Sequence, residues 1–240
     1  MEITEAVVGA VEGDEATLGD IAQLNEQRAQ VYRLLSRLFR CQVDDACERE
    51  LRATRWPART GNENADEGYR LIARYLSGAA AGCVPDLARD YTRCFIGQGM
   101  SSFEAAYPYE SVHTSDKRLM MQDARDEVMA IMRSEGVEKR PDFHDSEDHI
   151  AVELEFMGVM ADRTAKALRA GDEEEAVRLL TCQKNFLEDH VASWVPLLAA
   201  DMRRCAKTDF YRGLALVIEG VVDEDDAYLA AACTEECPAA

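Results

Sequence analysis

The chain has 240 residues, 47% hydrophobic and 30% charged, enough apolar content for a substantial core and too much for a disordered chain. Its formal charge of −19 works against nucleic acid and anionic membrane surfaces, both of which are bound through Lys and Arg, and it steers cationic partners. The same acid excess also keeps a protein soluble, so charge alone does not separate the two uses.

Met1 to Gly19 is acidic and lacks the cationic start and apolar core of a secretory signal, so the segment reads as a flexible arm of a cytoplasmic protein. From Asp20 to Arg40 apolar residues recur every three or four positions (Ile21, Leu24, Val31, Leu34, Leu35, Leu38, Phe39), which predicts a helix with Arg28, Arg33 and Arg37 elsewhere on its surface. Asp44 to Thr54 forms a second helix, closed by Trp56-Pro57. A third covers Asn62 to Ser77. Pro85 opens a fourth, which runs through Tyr91 and Phe95 to Gly97.

Residues 98–114 have no period and read as a long loop, with Pro108 between two tyrosines. Ser115 is expected to cap a helix carrying Leu119, Met120, Val128 and Met132 and ending at Gly136. Residues 138–147, centred on Pro141, break the pattern and suit a hinge. Asp148 to Ala170 is a long helix with Ile150, Leu154, Met157, Ala161 and Leu168 on one stripe. Helices at Glu173–His190, from Trp194-Val195-Pro196, and from Asp209 past Val221 complete the chain, and a small acidic tail covers 229–240. The expectation is an all-α single bundle of about nine helices over residues 20–228. No apolar run approaches the roughly 18 residues of a membrane helix.

Eight scattered cysteines without a Cys-x-x-Cys read as reduced thiols, several of them buried; Cys233 and Cys237 in the tail would make only half a zinc site. His149 and Glu153, four apart on one helix face, suit half a metal site or an acid/base pair. Alternatively, Asp148 complements the helix N-terminus while Glu153 pairs with neighbouring cations. A third option is that these groups accept hydrogen bonds from an arginine. Tyr107-Pro108-Tyr109-Glu110-Ser111 sets aromatics beside a carboxylate, suited to an apolar or cationic side chain, or to a rigid packed loop. No nucleophile elbow, phosphate loop or dinucleotide fingerprint is present. This favours a binding protein over an enzyme.

Four segments in order carry a resemblance. They are Tyr32-Arg33-Leu34-Leu35-Ser36-Arg37-Leu38-Phe39; Asp90-Tyr91-Thr92-Arg93-Cys94-Phe95-Ile96-Gly97 leading to Tyr107-Pro108-Tyr109-Glu110-Ser111; Asp148-His149-Ile150 with Glu153-Leu154; and Phe186 to His190 with Trp194-Val195-Pro196 and Thr208 to Ala215. The chain resembles the TorD/DmsD/NarJ family of redox-enzyme maturation chaperones, in particular its TorD-like branch, over roughly residues 25–222. The resemblance implies an all-helical cytoplasmic chaperone with no catalytic residue, cofactor or metal. Its partner would be the twin-arginine leader of a molybdenum-cofactor oxidoreductase precursor, held until cofactor insertion. By position it implies Asp148 and His149 as leader-binding residues, with Glu153, Tyr109, Glu110 and Ser111 joining them. The oligomeric state would be a monomer or a domain-swapped dimer. Tyr107 departs from the family's first proline. Two alternatives are carried forward: assembly of a leaderless reductase subunit, as in the NarJ branch, and a metal-dependent hydrolase using His149 and Glu153.

Overall fold

Capped, amphipathic segments account for nearly all of the architecture in the computed structural model, which describes residues 17–78, 82–97 and 105–233. The helices are α1 (Leu18–Arg40), α2 (Asp45–Ala53), α3 (Glu63–Gly78), α4 (Val84–Tyr91), α5 (Glu110–Thr114), α6 (Asp123–Ser134), α7 (Ile150–Ala170), α8 (Glu173–Phe186), α9 (Val195–Cys205) and α10 (Asp209–Ala232). Two π-helical turns, Thr92–Ile96 and Leu187–Ala192, extend α4 and α8. Nine of the helices have seven or more residues, and no strand occurs among the described residues, in line with the expected all-α bundle. No described helix is long and apolar enough to cross a membrane.

α7 lies at the centre and packs on α1 and α8; α10 packs on α3, α8 and α9. The predicted stripe of α7, Ile150, Leu154, Met157, Ala161 and Leu168, is buried throughout. α1 departs from its expected stripe. Leu24, Val31 and Leu34 are not fully buried, and the buried face runs through Ile21, Asn25, Arg28, Tyr32, Leu35 and Phe39. Arg28 tolerates burial because Asp225 of α10 takes its guanidinium in a two-pronged ion pair, Nε to Oδ1 at 2.5 Å and Nη2 to Oδ2 at 2.8 Å. Tyr32 donates to the same carboxylate, and Asn25 bridges Arg28 to Tyr228.

α3 and α10 approach backbone to backbone at Gly68, Gly213 and Gly220. A Cβ on Gly213 would stand 2.6 Å from the Gly68 carbonyl oxygen, and one on Gly220 equally close to the Ala65 nitrogen. Gly213→Ala should therefore cost about 1–3 kcal/mol despite alanine's better helix propensity, read as a lower midpoint in denaturant titration. A midpoint at or above wild type would mean that the helices can separate freely.

Three boundaries differ from expectation. Residues 115–122 are not helical, and α6 begins only at Asp123. Residues 110–114 of the expected loop form α5, whereas 138–147 break the helical pattern as expected, with Glu147 paired to Arg125 at 2.9 Å and to Lys139 at 3.3 Å. At the C-terminus α10 continues past Tyr228 to Ala232, with Leu229 buried. Residues 1–16 of the expected arm and Cys237 lie outside the described residues, while Leu18 and Gly19 already belong to α1.

A buried joint between two motifs as the candidate functional site

The two motifs singled out in the sequence meet as one structural unit. Tyr109 and His149 form an isolated antiparallel bridge. Glu110 N–H donates to the Asp148 carbonyl at 2.9 Å, and Ile150 N–H donates to the Pro108 carbonyl at 3.0 Å. The Asp148 carboxylate accepts from Ser111 N–H at 3.1 Å, and Ser111 Oγ in turn accepts from Gln122 N–H at 3.1 Å. His149 is the N-cap of α7: its Nδ1 accepts from Ala151 N–H at 3.0 Å, so the ring proton sits on Nε2. The His149 ring lies edge-on to Tyr109 and Phe143, and Tyr109 Oη donates to Asp145 at 2.6 Å. Burial pushes the His149 pKa down to about 4 against the pull of Asp145 and Asp148, so the ring is neutral at physiological pH.

Beneath this joint lies a group of buried carboxyls. Glu110 accepts from or pairs with His190 Nδ1 at 3.1 Å, and Glu153 accepts from Trp194 Nε1 at 3.2 Å. Trp194 Nε1 also donates to the His190 carbonyl at 2.6 Å. Burial raises the Glu110 pKa, and the His190 contact only partly offsets it. Glu153 is raised well above the usual carboxylate range, first by burial and then by the charges of Glu110 and Asp148. His190 moves upward: burial pulls it down, but the hydrogen bond and charge of Glu110 outweigh that. Glu153 does not pair with a cation, contrary to one sequence expectation, because α7 turns it inward against Trp194 and two other acids.

All six expected site residues therefore come together, and all are buried. Asp148, Ser111 and Glu153 have no exposed surface, and Tyr109, the most accessible, is 9% exposed. An arginine does not reach them in this conformation. His149 and Glu153 face separate partners, Ala151 N–H and the Trp194 indole, rather than a shared reacting centre. Among the described residues no group of three or more His, Cys, Asp or Glu could hold a metal ion.

The accessible surface lies one layer out, on residues whose sequence spacing suggests a helix. Residues 115–122 form a strap anchored at Ser111, and Arg118 and Met121 hold left-handed backbone (φ 51° and 58°). Such a conformation costs a non-glycine residue of the order of 1–3 kcal/mol and persists only where its surroundings impose it. The strap turns Leu119 and Met121 outward, 56% and 63% exposed, with Met120 beside them. Together with Tyr107, His113 and Asp201 of α9 it walls a groove of about 720 Å³. Tyr107, the departure from the family's proline, lies over Gly97: a Cβ there would meet its hydroxyl at 2.6 Å, and Gly97 also needs its positive φ of 75°. The Tyr107 carbonyl accepts from His113 Nε2 at 2.9 Å, and His113 stacks on Trp194 at 5.3 Å. His190, Trp194 and the strap are not among the expected site residues. The signal for the first two is a polar Glu-Asp-His ahead of Trp-Val-Pro at the end of a helix; the strap has none, since left-handed Arg and Met carry no sequence mark.

Helical packing, an exposed groove and a buried polar support beneath it make up the site. A model of the family described as "Nitrate reductase delta subunit" matches residues 62–200, and the chain belongs to this family, which unites redox-enzyme maturation chaperones of the TorD and NarJ kind rather than enzymes. It is similar to the protein named "Chaperone protein TorD" of Photobacterium profundum, 28% identical over 144 residues that cover 60% of this chain and 64% of that one. The TorD chaperone of Vibrio parahaemolyticus is 27% identical with the same coverage, so the chain spans 64% of the length of these two relatives. That of Aliivibrio salmonicida is 22% identical over 222 residues, 89% of this chain and 99% of that one.

Proposed function

We propose that this chain is a cytoplasmic chaperone that binds the twin-arginine leader of a molybdenum-cofactor oxidoreductase precursor and holds it until the cofactor is inserted. The observation that carries this reading is the groove beside the strap. A leader is cationic at one end and apolar beyond. Leu119 and Met120 offer a surface for the apolar stretch, and methionine adapts to varied sequence. The net charge of −19 steers the arginines, and Asp201, paired at 2.9 Å with Arg204, lies at the groove where a leader guanidinium competes for it. In this reading Asp148, His149, Glu153, Tyr109, Glu110 and Ser111 act through the strap: they set the position of Gln122 and with it the groove wall. The names of the TorD relatives support a chaperone role.

The test is calorimetric titration of the full chain with twin-arginine leaders at low and moderate salt. Leu119→Asp should weaken binding about 10- to 100-fold, the loss of one buried leucine contact, while leaving the melting temperature unchanged because the side chain is exposed. Wild-type affinity in that variant would remove the groove from the reading. A second reading, assembly of a leaderless reductase subunit, is favoured by the "Nitrate reductase delta subunit" description of the family. It gains if no leader binds and a folded catalytic subunit does.

A further inference from the structure

A second cleft, which shares no residue with the strap groove, lies between Trp56-Pro57 and α3 and encloses about 650 Å³. One wall is aromatic: the Trp56 and Tyr69 rings stand 5.9 Å apart at 33°, with Pro57 and Ala73 beside them. Tyr69 is only 7% exposed, yet its hydroxyl has no hydrogen-bond partner among the described residues, and neither has the Trp56 indole N–H. Burial, with the charges of Glu224 and Asp66, pushes the Tyr69 pKa up to about 12, so the hydroxyl keeps its proton and remains a donor. The rim is acidic. The Glu63 carboxylate makes no hydrogen bond or ion pair among the described residues, and only one oxygen of Asp66 is engaged, by Thr60 N–H at 2.6 Å. Both cations of the rim are held by other acids: Arg70 by Glu67, Nε to Oε2 at 2.8 Å, and Arg74 by Asp209 at 2.7 Å.

We propose that this cleft binds an arginine of an extended peptide segment of a partner protein, through the Trp56 ring and the free carboxylates of Glu63 and Asp66. A guanidinium is weakly hydrated for a cation, stacks on an aromatic face, and pairs with carboxylates in fixed geometry. Trp56 offers the face, and Glu63 with the second oxygen of Asp66 offers the acceptors. The main chain of the same segment brings carbonyl acceptors that lose water on docking. The Tyr69 hydroxyl and the Trp56 indole N–H are the donors that replace it. Other occupants fit less well. An anion would meet Glu63, Asp66 and Glu67 with both nearby cations already paired. A wholly apolar segment would strip water from these carboxylates and give nothing back. The chain's charge of −19 draws a cationic segment toward the cleft. The site stands whether or not a leader occupies the strap groove.

The chain holds two tryptophans, Trp56 and the fully buried Trp194, so their indole N–H signals in a nitrogen-15 NMR spectrum report the cleft and the core separately. The probe is the capped peptide acetyl-Ala-Arg-Ala-amide, titrated into the full chain. The same peptide with citrulline, neutral and of equal shape, is the control. The Trp56 signal, identified by its loss in Trp56→Phe, should shift with a dissociation constant of the order of 1 mM, about 5-fold tighter than for citrulline, while the Trp194 signal stays in place. Glu63→Gln and Tyr69→Phe should each weaken the arginine probe about 3-fold, and neither removes a hydrogen bond of the fold. Leu119→Asp, in the strap groove, should leave the response intact. A Trp56 signal unmoved at about 20 mM probe, or an equal response to the two probes, would overturn the proposal. So would wild-type affinity in both cleft variants, or loss of the response in Leu119→Asp. If a variant fails to fold, the two probes on the wild-type chain decide.

Discussion

Asp225→Ala should lower stability by about 3–5 kcal/mol, the largest effect expected of any single substitution here. Asp225 accepts both prongs of the buried Arg28 guanidinium and the Tyr32 hydroxyl, and each of the three side chains is nearly inaccessible. Removing the carboxylate leaves a buried positive charge with Asn25 and the face of the Tyr228 ring, 4.5 Å away, as its remaining support. For a chain of this size the melting temperature should fall by roughly 10–15 °C. The double variant Arg28→Met/Asp225→Leu should recover most of that loss, since a packed apolar pair replaces a buried ionic one at little cost. Thermal melts of the two variants check this. If the single variant melts within a degree or two of wild type, the ion pair is not what holds α1 to α10.

The second large effect concerns pH. Glu153 is held protonated by burial and by the charges of Glu110 and Asp148. The folded chain thus keeps a proton that the unfolded chain releases above the ordinary value of 4.5. Its contribution is fully present below that value and is lost as pH rises through the raised folded pKa. Glu153→Gln keeps an acceptor for the Trp194 indole and cannot ionise. Its amide also offers a donor to Glu110, the carboxyl with which the Glu153 side chain already shares a hydrogen bond. The variant should be more stable than wild type by about 1–3 kcal/mol at pH 8 and equal to it near pH 4. His149 has the opposite sign. With a folded pKa near 4 against 6.5, it costs stability as pH falls across that interval, equally in both proteins. Melts from pH 4 to pH 8 check the difference, and a variant less stable than wild type at pH 8 would show that the carboxylate form is the one the fold uses.

Helices are legible in the sequence wherever local chemistry sets them: Pro85 at the start of α4 and the inward stripe of α7. Periodicity misplaces Arg28 because its partner lies 197 residues away, beyond the reach of any local pattern. Leu119 and Met120 fit a helical spacing, yet the backbone at Arg118 and Met121 forbids the helix. The candidate site is legible as a set of residues, since both motifs converge. Its depth is not. An acid at a helix start reads as exposed until a bridge from a segment about forty residues away, Tyr109 to His149, closes over it.

The latch between Arg28 and Asp225 has a topological consequence. α1 packs on α7, α7 on α8 and α8 on α10, and the latch brings α10 back to α1. The long helices thus close into a ring, and residues near the two described ends, Asn25 and Tyr228, share a hydrogen bond of 2.8 Å. A ring has no privileged starting point. Linked between residues 17 and 233 and opened at the turn Gly171-Asp172 between α7 and α8, the described helices would keep the contacts that specify the bundle. Covalent order is then a matter of how this fold is written, not of what holds it.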